Sequence, residues 1–160
     1  MANKSSFTAE EWSVLRSAPH VVGMAISSAG GGIFGAVKEA MSAAQILAQN
    51  AQSSSELIRS LCTAEETKAA EEELRQQLMA DPITFPAKLK EMVTTSCSQA
   101  IAILNNKSAE DVAGYRELVT GVAEGVAKAA KEGGFLGIGG EVVSAGESTL
   151  LSAITTALKD

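Results

Sequence analysis

Phe85-Pro86-Ala87-Lys88-Leu89-Lys90-Glu91-Met92-Val93-Thr94-Thr95-Ser96-Cys97-Ser98-Gln99-Ala100-Ile101-Ala102-Ile103-Leu104 carries an apolar stripe along its whole length. Phe85, Leu89, Met92 and Val93, Ser96 or Cys97, Ala100, and Ile103 and Leu104 recur at spacings of three and four, the period of one face of an α-helix. Thr84 stands where an N-cap belongs, Pro86 falls in the first turn, where its missing N–H costs nothing, and Asn105-Asn106-Lys107 closes the segment. Five turns with one clear buried face predict a long helix at the centre of an all-α domain.

The same pattern extends to both sides. Upstream, Thr63-Ala64-Glu65-Glu66 is a capping box that opens a helix to about Ala80, with Ala70, Leu74 and Leu78 as its buried edge. Asp81-Pro82 stops it. Before it, Asn50-Ala51-Gln52-Ser53-Ser54-Ser55 dilutes the apolar signal and offers a new cap for a short helix from Glu56 to Cys62, with Leu57, Ile58 and Leu61 inward. Ile33 to Ala51 is expected as a helix with Ile33, Val37, Met41, Ala44 and Leu47 or Ala48 on one face. At the beginning, Phe7-Thr8-Ala9-Glu10-Glu11-Trp12 contains a capping box between Thr8 and Glu11 and a hydrophobic staple between Phe7 and Trp12, so a helix starts at Ala9. Pro19 is expected to break or kink it and to begin a fresh segment to about Ala29, with Ser17 available as a cap.

Downstream, Ser108-Ala109-Glu110-Asp111 restarts the chain as a helix to about Glu132, with Asp111 standing in for Glu in the capping box. Val112, Tyr115, Leu118 or Val119, Val122 and Val126 share a face. Gly114, Gly121 and Gly125 interrupt it at roughly 1 kcal/mol each relative to Ala, which implies close helix packing as the compensating gain. Gly133 supplies the stop. Ser144-Ala145-Gly146-Glu147 is a further capping box, and a last helix to about Leu158 buries Leu150 or Leu151, Ile154 and Leu158. The expected architecture is an irregular or orthogonal bundle of six to seven helices, with residues 1–160 forming a single domain.

Composition narrows the function. The apolar share is 46%, drawn mostly from Ala, Val, Ile and Leu, with four Phe, one Trp and one Tyr, which favours closely approaching helices over sheets. A net charge of −6 and the lack of any long basic run argue against nucleic acid as a partner. No charged residue occurs from Val21 to Val37, but Gly30-Gly31-Gly32 interrupts that window well short of the roughly 20 residues a membrane span needs, so it reads as a helical hairpin in a core. Gly23, Ala25 and Ala29 with Gly35, Ala36 and Ala40 would let its two helices approach closely. The first residues lack the apolar core of a signal peptide, which points to the cytoplasm. Cys62 and Cys97 form no CxxC pair and have no nearby His, so they read as buried thiols.

Catalytic, cofactor and metal sites find little support. His20 is the single histidine, which excludes the paired Glu-x-x-His motifs of a di-metal carboxylate bundle and leaves zincins without ligands. Glu65, Glu66, Glu71, Glu72 and Glu73 share a helix with Lys68 and Arg75 and read as a solvated face. The remaining unusual stretch is Gly133-Gly134-Phe135-Leu136-Gly137-Ile138-Gly139-Gly140, five glycines in eight residues framing three apolar side chains. It lacks the Gly-Lys-Ser/Thr ending and the preceding strand of a P-loop, and Glu141 would repel phosphate.

Two functional expectations follow. In the first, the chain is a non-enzymatic interaction or self-associating module, with Phe34, Phe135, Leu136 and Ile138 engaging a second copy or a protein partner. In the second, it binds a small molecule, or acts on one, in a pocket between the 19–44 hairpin and the 133–143 glycine loop, using His20, Tyr115 and backbone amides near Ser144. Phe7-Thr8-Ala9-Glu10-Glu11-Trp12, Pro19, and Gly133-Gly134-Phe135-Leu136-Gly137-Ile138-Gly139-Gly140 with Ser144 and Glu147 resemble the ends of a group of small bacterial all-helical proteins of unassigned function. The resemblance implies a bacterial, cytoplasmic, single-domain protein and transfers no site.

Overall fold

The computed structural model describes residues 2–29, 35–132 and 145–159. Among them are seven α-helices: α1 (Ala9–Ala29), α2 (Gly35–Asn50), α3 (Glu56–Leu61), α4 (Ala64–Ala80), α5 (Phe85–Lys107), α6 (Val112–Glu132) and α7 (Ala145–Ala157), with short 3-10 turns at Lys4–Ser6 and Ala109–Asp111. The all-α bundle expected from the periodicity is the architecture observed. Gly30 to Phe34 and the glycine stretch with Ser144 lie outside the described residues, and with them the capping box proposed for α7.

The start of α1 follows its sequence signature. Thr8 N–H donates to Glu11 Oε2 at 2.8 Å, Glu11 N–H donates to Thr8 Oγ1 at 3.2 Å, and the Phe7 and Trp12 rings lie 5.9 Å apart. The expected break at Pro19 does not occur; the helix continues through it to Ala29. Pro19 has no N–H to offer the carbonyl of Leu15, its partner four residues back. That carbonyl instead accepts a 2.8 Å hydrogen bond from the hydroxyl of Tyr115 on α6. Tyr115 and Leu15 are fully buried, so a donor from a neighbouring helix replaces the one that proline removes. Ser17, considered above as a cap, donates its hydroxyl to Glu73.

α1, and not α5, is the centre of the bundle. It packs against α2, α4, α5, α6 and α7, and its buried residues Trp12, Leu15, Ala18, Val21, Val22, Ala25 and Ile26 form a broad face over about half of its circumference. The stripe of α5 is buried as expected, at Phe85, Leu89, Val93, Cys97, Ala100 and Leu104, but a single stripe faces one way, against α1 and α7.

Small residues set the helix distances. A Cβ added to Gly23 would lie 3.4 Å from Val122 Cγ1 and 3.6 Å from the Cβ of Ala43, so α1, α2 and α6 meet at that position. On α6, a Cβ at Gly125 would fall 2.2 Å from Ile46 Cδ1 and 3.3 Å from Ser42 Oγ. Its glycine is the packing device that the sequence suggested. α2 is phased differently from expectation: Leu47 is buried, but Met41 stands 67% exposed, and Glu39 points inward instead. Leu78, expected inside on α4, is at the surface.

Polar links tie the ends of the helices together. Glu66 was expected in a solvated face and is buried. It accepts from Lys4 Nζ at 2.5 Å and from Arg16 Nη1 at 3.0 Å, while Arg16 also pairs with Glu73. Burial pushes the Glu66 carboxyl up, but Lys4, Trp12 and Arg16 together hold it below the usual range. Thr63 caps α4 by accepting from Glu66 N–H at 3.3 Å, but the Glu66 side chain is spent on these cations and does not complete the box. Thr84 makes no side-chain cap; Asp81 accepts from Thr84 N–H at 3.2 Å and pairs with Lys88 at 2.7 Å. Asp111 likewise receives rather than caps, accepting from Ala2 N–H at 3.3 Å, Ser55 Oγ at 3.1 Å and Ser108 Oγ at 2.6 Å. Arg116 donates to the carbonyls of Leu158 and Lys159 at the end of α7, where a cation complements the helix dipole.

Tyr115→Phe leaves the buried Leu15 carbonyl without a donor and is expected to cost about 1–3 kcal/mol. In a Pro19→Ala background, residue 19 regains an N–H, so the same substitution should cost about 1 kcal/mol less or better. Urea unfolding of the four members of this cycle measures the coupling, and additive effects would show that the two sites do not share that carbonyl.

Candidate functional site

Three helices leave a cleft between them. α1 contributes His20, Gly23, Met24, Ser27 and Ser28, which fall on one face because they are spaced by three and four. α2 contributes Glu39, Ala40, Ala43, Ala44 and Leu47, and α4 contributes Glu71, Leu74, Arg75 and Leu78, each at helical spacing. Glycine and alanine on α1 and α2 leave the volume unfilled. The space is about 400 Å³, within the usual range for a site that encloses a small molecule.

The wall is apolar apart from a few charged and polar groups. Glu39 is 3% exposed, and among the described residues its Oε2 has no hydrogen-bond partner. Buried polar atoms almost always have a partner, and a carboxylate withdrawn from water without one is a cost to folding. Among the described residues, the nearby cations Arg16 and Arg75 are engaged elsewhere. Arg75 donates to Glu72 at 3.0 and 2.9 Å, and Arg16 is held by Glu66 and Glu73. His20 is half-buried, and its pKa is pushed down to about 4, first by burial and then by the charge of Arg16. At neutral pH it is therefore an uncharged imidazole.

His20, Ser27, Ser28 and Glu39 share this cleft, which invites comparison with a nucleophile–base relay. Such a relay needs the three groups within hydrogen-bond reach of one another. Among the described residues no hydrogen bond joins them, and Ser28 Oγ donates to the Met24 carbonyl at 2.9 Å. Among the described residues, too, no group of three or more His, Cys, Asp or Glu side chains is placed to hold a metal ion. Cys62 and Cys97 are buried free thiols whose pKa values burial raises to about 12.

Of the residues singled out from sequence, His20 lines the cleft. Tyr115 does not; it lies in the core with its hydroxyl on Leu15, and burial, with Cys97 and Cys62 beside it, raises its pKa well above the ordinary phenol value. Phe34, Phe135, Leu136, Ile138 and Ser144 lie outside the described residues. A second opening, of about 1000 Å³, lies where the end of α1, the start of α5 and the start of α7 converge, with Ala25, Ser28, Ala29, Lys90, Ala145 and Thr149 in its wall. Its described lining offers no buried, unpartnered polar atom.

Glu39 was missed by sequence reasoning. The signal available was its spacing: Glu39, Ala43 and Leu47 are four apart, so a phase that buries Leu47 also buries a carboxylate. No protein-family model, curated protein or solved structure matches this chain. Among the described residues no helix is long and apolar enough to cross a membrane.

His20 gives the molecule a pH dependence of known sign. Its folded pKa of about 4 lies below the ordinary 6.5, so between these values the unfolded chain takes up a proton that the folded protein refuses. Stability is complete above about pH 6.5 and falls as the pH drops toward about 4. Glu11, Glu66 and Asp81 have lowered pKa values, and their contribution is lost only in stronger acid. Melting temperatures between pH 7 and pH 5 should decline in the native protein and decline less in His20→Gln; parallel curves would refute the assignment.

Proposed function

We propose that this protein is a small-molecule-binding helical module whose site is the cleft between α1, α2 and α4. The observation that carries this reading is the buried carboxylate of Glu39, which lines a mostly apolar cleft and, among the described residues, has no hydrogen-bond partner for Oε2. An arrangement that costs folding stability is a common mark of a site kept for binding. Among the described residues of the cleft no nucleophile–base pair is formed, which favours binding over turnover.

A cleft-filling variant tests this directly. Ala44 is exposed at the edge of the cleft, so Ala44→Trp should occupy the space without disturbing the core. In a thermal-shift screen of small amphiphiles, at least one compound should raise the melting temperature of the native protein saturably and leave the variant unmoved. Equal shifts in both proteins would place binding elsewhere.

A second reading, association with another copy or a protein partner, draws support from the turn between α4 and α5. Met79 is 68% exposed and Ile83 89% exposed, and neighbouring exposed apolar side chains often mark a contact surface. If this surface is used for self-association, light scattering at micromolar concentration should show a species larger than the monomer that Ile83→Ser dissociates. A monomer in both cases would remove this reading.

A further inference from the structure

We propose that the ligand of the α1–α2–α4 cleft is a protonated aliphatic amine, with its ammonium group on Glu39 and its hydrocarbon portion along Met24, Leu74 and Leu78. This rests on the reading of the cleft as the binding site and adds the chemical class of its occupant.

The sign of the charge comes from what surrounds Glu39. Its side chain is buried, and among the described residues it makes no hydrogen bond and no ion pair. The only other carboxylate among the described lining residues is Glu71, so an anion would meet repulsion. Arg75, the cation in the lining, is already bonded through two nitrogens to Glu72. His20 remains uncharged at neutral pH, so it does not neutralise Glu39 and can itself accept an N–H.

The type of cation follows from donor number and volume. An ammonium group presents three N–H donors and no acceptor, which complements a carboxylate with open lone pairs beside a neutral imidazole. A divalent metal ion would require a larger set of ligating side chains, and the described residues contain no cluster of three. The cleft, at about 400 Å³, exceeds what a bare ammonium or inorganic cation fills. Apart from the hydroxyls of Ser27 and Ser28, the rest of its described wall, including Ala40, Ala43 and Leu47, is apolar and suits an alkyl chain.

Calorimetric titration of the whole chain at pH 7.5 with n-hexylammonium, n-hexanol and n-hexanoate tests this. In the native protein, hexylammonium should bind about tenfold or more tightly than hexanol, a difference equivalent to one charge-assisted hydrogen bond, and hexanoate should bind most weakly. In Glu39→Gln that preference should fall below about threefold while hexanol binding is retained, and the ligand-free variant should melt about 2–4 °C higher because a buried charge has been removed. Glu39→Met should behave in the same way and guards against a defect peculiar to the amide. Hexanol binding as tightly as hexylammonium in the native protein would overturn the amine assignment and leave the cleft as a binding site. An ammonium preference that survives Glu39→Gln and Glu39→Met would overturn the role of Glu39. Absence of binding by all three probes, with melting curves that none of them shifts, would overturn the cleft reading and the amine assignment with it.

Discussion

Pro19 removes one hydrogen bond from the interior of the helix around which the others pack, and Tyr115 restores it from outside. The exchange is physically economical because both partners are buried. A Leu15 carbonyl without a donor would remain desolvated and unpaired, and a tyrosine hydroxyl in an apolar core has the same need. One contact satisfies both groups. It also fixes the position of α6 along α1, since the hydroxyl can reach only that carbonyl. An apolar contact could slide by a fraction of a turn; this one cannot without exposing two orphaned polar atoms.

The continuity of α1 determines the rest of the bundle. Because the helix runs unbroken through Pro19, its N-terminal half can hold Trp12, Arg16 and the carboxylates of α4, while its second half meets α2 and α6 at Gly23. α2 and α4 therefore lean on different turns of the same rod, and the cleft is the gap between them. Alanines on α2 and a glycine on α1 keep it open, so α2 and α4 both pack on α1 with little contact between them.

Much of this was legible in the sequence. The helical class, the capping box at Thr8 and Glu11, the stripe of α5, the inward face of α3 and the packing role of Gly125 all follow from periodicity and local chemistry. What failed did so for identifiable reasons. Pro19 was read by local rules, and the donor that overrides them comes from Tyr115, far away in the chain. α2 is so rich in alanine that its apolar stripe has no unique phase, and the choice that put Met41 inside concealed Glu39. Glu66 was assigned to a solvated surface because charge predicts exposure on average, whereas Lys4 and Arg16, on two other segments, allow it to be buried. For Pro19 and Glu66 the deciding partner is remote in sequence.

The two cysteines acquire a meaning from where they lie. Cys62 closes α3, Cys97 sits midway along α5, and both are buried in the core near the Tyr115 side chain. Their thiols are protonated and shielded, so alkylating reagents and oxidants have no nucleophile to meet while the fold is closed. Modification of either sulfur then requires the core to open, and its rate becomes a clock for opening events rather than a measure of cysteine chemistry. Because Tyr115 anchors α6 to α1 in the same region, that clock runs on the breathing of the central helix.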